Sequence, residues 1–168
     1  PDWDNPFKED VFVDLGSGAG RPCIAAATLH KFRSCHGIEI LEDLHELALL
    51  SKQEYESHLN SIESDDSPAL TPELSFYHGS IFDLETFDWV NIRGVILANS
   101  TCFSSDMFAK MADLAADTHL DNIIITFSND LEDGVSSGER RFDILRAHRL
   151  KMSWGEADVF YHRRKAVV

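Results

Sequence analysis

The sequence predicts an α/β protein with a mostly parallel sheet flanked by helices and a C-terminal antiparallel hairpin. Three observations carry that expectation. Short, near-continuous apolar runs alternate with segments of helical periodicity, the order of buried parallel strands joined by helices. The first apolar run breaks into glycines at 16, 18 and 20 and passes at once into a helix-compatible segment. The last stretch, Arg141 to Val168, alternates in two runs about Ser153-Trp154-Gly155-Glu156, which reads as a hairpin.

Taken in order, Asp10 to Leu15 is the first strand. A helix follows from Pro22 to about Phe32. Proline costs little in a first helical turn, because the N–H it lacks would be unpaired there. Ser34 to Ile40 is the second strand, and Leu41 to about Leu59 a helix with Leu41, Leu44, Ala48 and Tyr55 at helical spacing. Asn60 to Pro72, Ser-rich and acidic with Pro68 and Pro72, reads as a mobile loop. Glu73 to His78 is the third strand and Arg93 to Asn99 the fourth. Ser104 or Ser105 then caps a helix to about Asp117, with Met107, Met111 and Leu114 inward. His119 to Phe127 is the fifth strand, and Ser128 to Gly138 an acidic loop.

At 168 residues the size prior gives a single domain over 1–168. The start, Pro1-Asp2-Trp3-Asp4, lacks the methionine, basic region and apolar core of a signal peptide. Elements upstream of the first strand are therefore expected to be missing from it. No apolar run approaches the roughly 20 residues of a membrane span, so no membrane partner is expected. Cys23, Cys35 and Cys102 are odd in number and never in C-x-x-C spacing, and the eight histidines form no H-x-x-x-H pair. That points to a reducing, intracellular setting without a metal site. The net charge of −14 disfavours extensive phosphate contact over the whole surface and suits a basic protein partner. Direct binding of nucleic acid is not expected.

The glycine turn, Asp14-Leu15-Gly16-Ser17-Gly18-Ala19-Gly20, departs from the dinucleotide fingerprint G-x-G-x-x-G, whose last position falls on Arg21. It resembles the first motif of the Rossmann-like class I S-adenosyl-L-methionine (SAM) methyltransferases. In that superfamily the turn wraps the amino-acid end of SAM, which implies Asp14, Gly16, Ser17, Gly18 and Gly20 as cofactor residues here. Glu39 ends the second strand roughly 20 residues on, where a carboxylate meets a ribose in nucleoside-binding α/β folds. Beyond the third strand, Ser80 or Asp83 is a candidate polar contact for adenine, and Ile81 or Phe82 an apolar one. Asn99-Ser100-Thr101-Cys102-Phe103 follows the fourth strand, at the carboxyl edge where ligands sit in open parallel sheets.

Three segments together resemble a narrower family: Val11 to Gly20 with Gly37-Ile38-Glu39, Val95 to Phe103, and Ser153-Trp154-Gly155 through Tyr161. They are similar to the catalytic core of the Dot-one (disruptor of telomeric silencing) histone lysine methyltransferases. The family's Asn-Asn-Phe-Ala-Phe falls on Asn99 to Phe103, with the leading Asn and final aromatic kept. Its substrate-channel Tyr falls on Tyr161, and its adenine-contacting Gly-Asp-Phe on Gly79-Ser80-Ile81, where the Asp is lost. The resemblance implies SAM as cofactor, with Ser80, Ile81 and Asn99 joining the cofactor residues, and a basic, histone-type protein substrate. It implies Asn99, Phe103 and Tyr161 as catalytic residues, and a nuclear location. Trp154 is expected to pack the hairpin. The family's basic nucleosome-holding segments have no obvious counterpart. Two alternatives stand. One is an N-methyltransferase for nucleic acid or a small molecule, although Ser100-Thr101 occupies the place of the two prolines usual in nucleic-acid amino methyltransferases. The other is a non-catalytic SAM-fold module that binds a protein.

Overall fold

The computed structural model describes residues 10–62, 71–135, 140–153 and 155–166. The chain divides into two compact units, Pro1–Phe87 and Asp88–Val168. The first contains β1 (Val11–Leu15), α1 (Arg21–Leu29), β2 (Ser34–Glu39), α2 (Glu42–Ile62) and β3 (Glu73–His78). Its strands are all parallel, in the order β3-β2-β1, with Leu15 opposite Ile38 and Glu39 opposite His78. Every residue of β1 is buried, as a parallel strand covered on both faces requires.

The helices of this unit depart in detail from the sequence expectation. α1 ends at Leu29, because His30 turns extended and gives its N–H to the Ala26 carbonyl. Phe32 lies beyond it, buried against Phe12 with ring centroids 5.6 Å apart. α2 turns Ala48 inward, with Leu44 and Tyr55 half-buried. Leu41 is 58% exposed. It precedes the first turn of the helix, and its N–H is held by Glu39. α2 continues through Ile62, past the expected end at Leu59. The remainder of the acidic Ser-rich loop, 63–70, lies outside the described residues.

The second unit contains β4 (Gly94–Ala98), a 3-10 turn (Ser100–Cys102), α3 (Ser105–Ala115), β5 (Ile123–Phe127), α4 (Leu131–Gly134), β6 (Phe142–Met152) and β7 (Gly155–Arg164). β4 pairs β5 in parallel, β7 pairs β5 antiparallel, and β6 pairs β7 antiparallel. The hairpin at the C-terminus is thus as expected. β5 begins at Ile123, four residues later than the sequence suggested. His119 to Asn122 form a turn instead, closed by the Asn122 N–H on the His119 carbonyl at 3.1 Å. The side chain of Asn122 is fully buried. It accepts from the Gly94 N–H at 2.8 Å and donates to the Ile92 carbonyl at 3.0 Å.

Ser104 is the N-cap of α3, accepting from the Met107 N–H. The buried face of α3 is Phe108, Met111, Ala112 and Ala115. Met107 is exposed and Leu114 half-buried. The apolar stripe begins one residue later than expected, because Phe108 is the larger apolar group and takes the inward place. The loop after β5 holds a further short helix, α4, with Asp130 as N-cap. Residues 136–139 and Trp154 lie outside the described residues. Parallel strand–helix units followed by an antiparallel hairpin make this a Rossmann-like α/β fold. No helix among the described residues is long and apolar enough to cross a membrane.

Candidate active site

In the first unit, the chain leaves β1 through Gly16, Gly18 and Gly20, all at positive φ, and enters α1. The Gly16 and Ser17 N–H groups donate to the Ile38 carbonyl at 2.9 Å, which ties the turn to the end of β2. Gly18 has φ +53, and a Cβ added there would meet nothing within 4 Å. The backbone therefore faces open space at a point where the left-handed conformation also disfavours a side chain. Gly37 has a different reason. A Cβ there would come within 2.6 Å of the Ser17 Oγ, so β2 needs a glycine for Ser17 to fit.

Glu39 is buried, and both its oxygens are engaged. Oε2 accepts from the Gly18 N–H at 2.8 Å and Oε1 from the Leu41 N–H at 2.9 Å. An ionised carboxylate has about four acceptor directions, so two remain for a ligand's hydroxyls. Asp14 is 1% exposed. Neither of its oxygens has a hydrogen-bond partner among the described residues, and nor does the Ser17 Oγ. Burial, with the Glu39 carboxylate adding to it, pushes the Asp14 pKa up to about 7. Buried carboxylates without partners are costly. This one stands under a glycine turn whose surface is open, where a cation with N–H donors would satisfy it.

Gly79 donates its N–H to the Glu39 main-chain carbonyl at 2.9 Å, so the segment after β3 starts beside the end of β2. Ser80 Oγ accepts from the Phe82 N–H at 3.2 Å, and Ile81 is buried. Asp83 is the better-placed turn former. Its carboxylate accepts from the Thr86 hydroxyl at 2.7 Å and the Glu85 N–H at 3.2 Å. Thr86 holds the Asp83 carboxyl below its usual range. The structure therefore gathers Asp14, Gly16, Ser17, Gly18, Glu39 and the start of the Ser80–Ile81 segment into one cradle, whereas Gly20, expected among the cofactor residues, is a glycine because the Phe76 ring and Ala48 fill the place of a Cβ.

In the second unit, β4 runs out into Asn99. Ser100 is fully buried, and its hydroxyl donates to the Phe127 carbonyl at 2.6 Å. This bond fastens the end of β4 to the end of β5 and fixes the 3-10 turn. Asn99 is exposed, and its Oδ1 accepts from the Thr101 hydroxyl at 2.7 Å. Phe103 is half-buried and closes the turn through its N–H on the Ser100 carbonyl. Tyr161 lies on β7, with β5 between it and β4. The register Leu97–Ile125–Tyr161 puts Tyr161 on the face that Leu97 shares, and Asn99 follows two residues on from Leu97. The Tyr161 ring meets His148 edge-on at 6.1 Å. Ser100 is the residue that sequence reasoning passed over. Its only signal was its place beside Asn99, since its role depends on the carbonyl of a strand 27 residues away.

Fold and cradle together define a class I SAM-dependent methyltransferase. The orphaned Asp14 and Ser17 oxygens, the open space over Gly18 and the spare acceptors of Glu39 fit an amino acid joined to a nucleoside. The particular family follows from sequence comparison. Residues 5–162 match the family described as "Histone methylation protein DOT1", and the chain belongs to it. No curated protein matches the chain. Among solved structures it is similar to an RNA methyltransferase from Salinibacter ruber in complex with S-adenosyl-L-homocysteine. That protein is 19% identical with a TM-score of 0.64, over 95% of this chain and 84% of the other. It is similar also to the B. subtilis tRNA methyltransferase TrmK, at 16% identity and a TM-score of 0.66, over 95% of this chain and 62% of that one. A ribosomal protein L11 methylase from Lactobacillus delbrueckii subsp. bulgaricus is 19% identical with a TM-score of 0.62, over 96% and 73%. At these identities the likeness is one of fold.

Proposed function

We propose that this protein transfers methyl groups to the lysine side chains of a basic protein of the histone type. The observation that carries the reading is the family match across residues 5–162. The kept Asn99 and Phe103 after β4 support it. So does the net charge of −14, which attracts a cationic substrate. A nuclear location goes with such a substrate.

Asp14, Ser17 and Glu39 hold SAM over the open backbone of the glycine turn, and Ser80 and Ile81 flank its adenine. Bound SAM supplies an activated methyl group on a sulfonium. The rest is the work of the chain. Catalysis of a displacement rests mostly on alignment, so the rigid turn from Gly16 to Gly20 matters more than any acid or base. A lysine amine has a reference pKa near 10.4 and is inert while protonated. An apolar wall disfavours the ammonium and lowers that value. Phe103 and Tyr161 supply the wall, and the Asn99 amide orients SAM or the incoming amine.

The test incubates the protein with radiolabelled SAM and, in parallel, core histones, whole nucleosomes and bulk tRNA. Label in histone lysine, reduced by Tyr161→Phe and Asn99→Ala, is the expected result. Label in tRNA alone would replace the lysine reading with a nucleic-acid one. Turnover untouched by both substitutions would remove the assigned roles.

A further inference from the structure

His162 is fully buried on β7, and each nitrogen of its ring meets polar groups. Nδ1 stands 3.3 Å from the Ile124 carbonyl. Nε2 stands 3.0 Å from Asp130 Oδ1, and the Leu131 N–H donates to the same nitrogen at 3.3 Å. The two contacts at Nε2 exclude each other. A neutral imidazole carries one N–H and an imidazolium carries two. With Nδ1–H on the Ile124 carbonyl, a neutral ring accepts from Leu131 at Nε2 and sets its lone pair against a carboxylate oxygen. A protonated ring donates from Nε2 to Asp130 and sets its hydrogen against the Leu131 N–H. No protonation state of the ring satisfies both neighbours, so the proton decides which one is held.

The groups around the ring set the balance. Burial favours the neutral form and holds the His162 pKa below its ordinary value, while the Asp130 and Glu132 carboxylates of α4 and the Ile124 carbonyl pull the other way. β6 presents the Phe142 ring, with centroids 6.2 Å apart, and β7 the Phe160 ring, at 6.0 Å. Neither carries charge. The ring is thus neutral and held by Leu131 at neutral pH, and it passes to Asp130 as pH falls. The Asp130 side chain is 19% exposed, which gives solvent protons a route to the ring.

This pair sits where the chain leaves β5. Beyond it, α4 is pinned to the start of β6 by the Phe142 N–H on the Glu132 carboxylate. Before it, the chain is a strained link. Ser128 is the single non-glycine residue at positive φ among the described residues, at 67°, a conformation that its surroundings must enforce. Its N–H donates to the Asp158 carbonyl at 2.7 Å, and the Thr126 hydroxyl to the Asn129 carbonyl at 2.6 Å. One residue earlier, the Phe127 carbonyl receives the Ser100 hydroxyl, the bond that fixes the turn after Asn99. A change of partner at Nε2 shifts the first residues of α4 between these anchors.

We propose that His162 is a pH-driven positioning residue. On gaining a proton its Nε2 exchanges the Leu131 N–H for the Asp130 carboxylate, and the exchange resets the β5 exit beside the Asn99 turn. The inference rests on hydrogen bonds within the second unit and is independent of the lysine reading.

The experiment is nitrogen-15 NMR of the whole chain between about pH 8 and about pH 5. It follows the His162 ring nitrogens and the amides of Leu131, Ser128 and Phe103. The ring should pass from the neutral Nδ1–H tautomer to the imidazolium, and all three amides should move with the same midpoint. Asp130→Asn keeps a capping acceptor and removes the charge, so the midpoint should fall by about one unit or more, or leave the range. In His162→Gln, which cannot titrate, the amides should lose their response to pH, with circular dichroism and Tm establishing that it is folded. Should that buried change unfold the chain, the Asp130→Asn midpoint decides. The proposal is overturned if the ring keeps one protonation state wherever the fold is intact, or if it titrates while Leu131 stays still. It is overturned equally if Ser128 and Phe103 do not follow, if Asp130→Asn leaves the midpoint in place, or if the amides titrate unchanged in folded His162→Gln.

Discussion

Asp14 and Gly18 show how single residues in a turn are bound to a ligand's chemistry. The Asp14 carboxyl is raised from 3.8 to about 7 by burial and by Glu39. A raised acid holds its proton in the folded state, so its contribution to stability is intact below about pH 4 and is lost as pH rises through about 7. Asp14→Asn removes that loss. Its Tm relative to the parent should therefore rise between about pH 4 and pH 7 and level off above it, and a pH-independent gap would contradict the burial argument. The same carboxylate should favour a cationic ligand only when ionised. SAM affinity of the parent, by calorimetry, is expected to tighten from pH 6 to pH 8, and that of Asp14→Asn to be weak and flat. Gly18→Ala tests the open cradle. The left-handed backbone costs an alanine about 1–2 kcal/mol, which the fold should survive. The added methyl projects into the space over the turn, so the loss should be far larger in SAM affinity than in Tm.

Among the elements, the joints are made by buried polar side chains more than by the strands themselves. Asn122 holds the entry of β4 through Gly94 and Ile92. Asn122→Ala would leave a donor and an acceptor without partners, at about 1–3 kcal/mol each. A urea titration should place the variant below the parent by that order, with an unchanged slope. If the midpoint did not move, water would be replacing the side chain. Ser100 does the same at the exit of β4 through the Phe127 carbonyl. His162, fully buried on β7, faces the Asp130 carboxylate at 3.0 Å and ties the hairpin to the cap of α4. Burial lowers its pKa against the pull of that carboxylate.

On the scale of the whole chain, the cradle should make stability depend on cofactor. A ligand at one hundred times its Kd adds about 2.7 kcal/mol, which for a chain of this size is a Tm shift of roughly 5–10 °C. Differential scanning with saturating SAM should show that shift, and its absence would mean that the turn does not take the cofactor. The charge distribution is a whole-chain property too. Its sum, −14, supports the basic partner proposed above.

The order of the elements was legible in the sequence because β1, β4 and β5 are near-continuous apolar runs and the turns between elements are polar or glycine-rich. The Asp14 to Gly20 turn and the strand-end Glu39 were legible for the same kind of local reason. Positive φ needs glycine at Gly18, and a carboxylate ends β2. What the sequence did not carry was any relation set by distant atoms. It placed β5 four residues early, because the apolar character of Leu120 says nothing of the turn that Asn122 closes. It missed α4, since a single helical turn held by Asp130 and His162 has no period to read. Ser80 and Asp83 looked equivalent until Asp83 was found capping its own turn. Arg149, which reaches Glu156 and Asp158, and Arg146, which stands opposite Tyr161, are alike in sequence. Only the register of β6 on β7 separates them, because charge is cancelled through space and not along the chain.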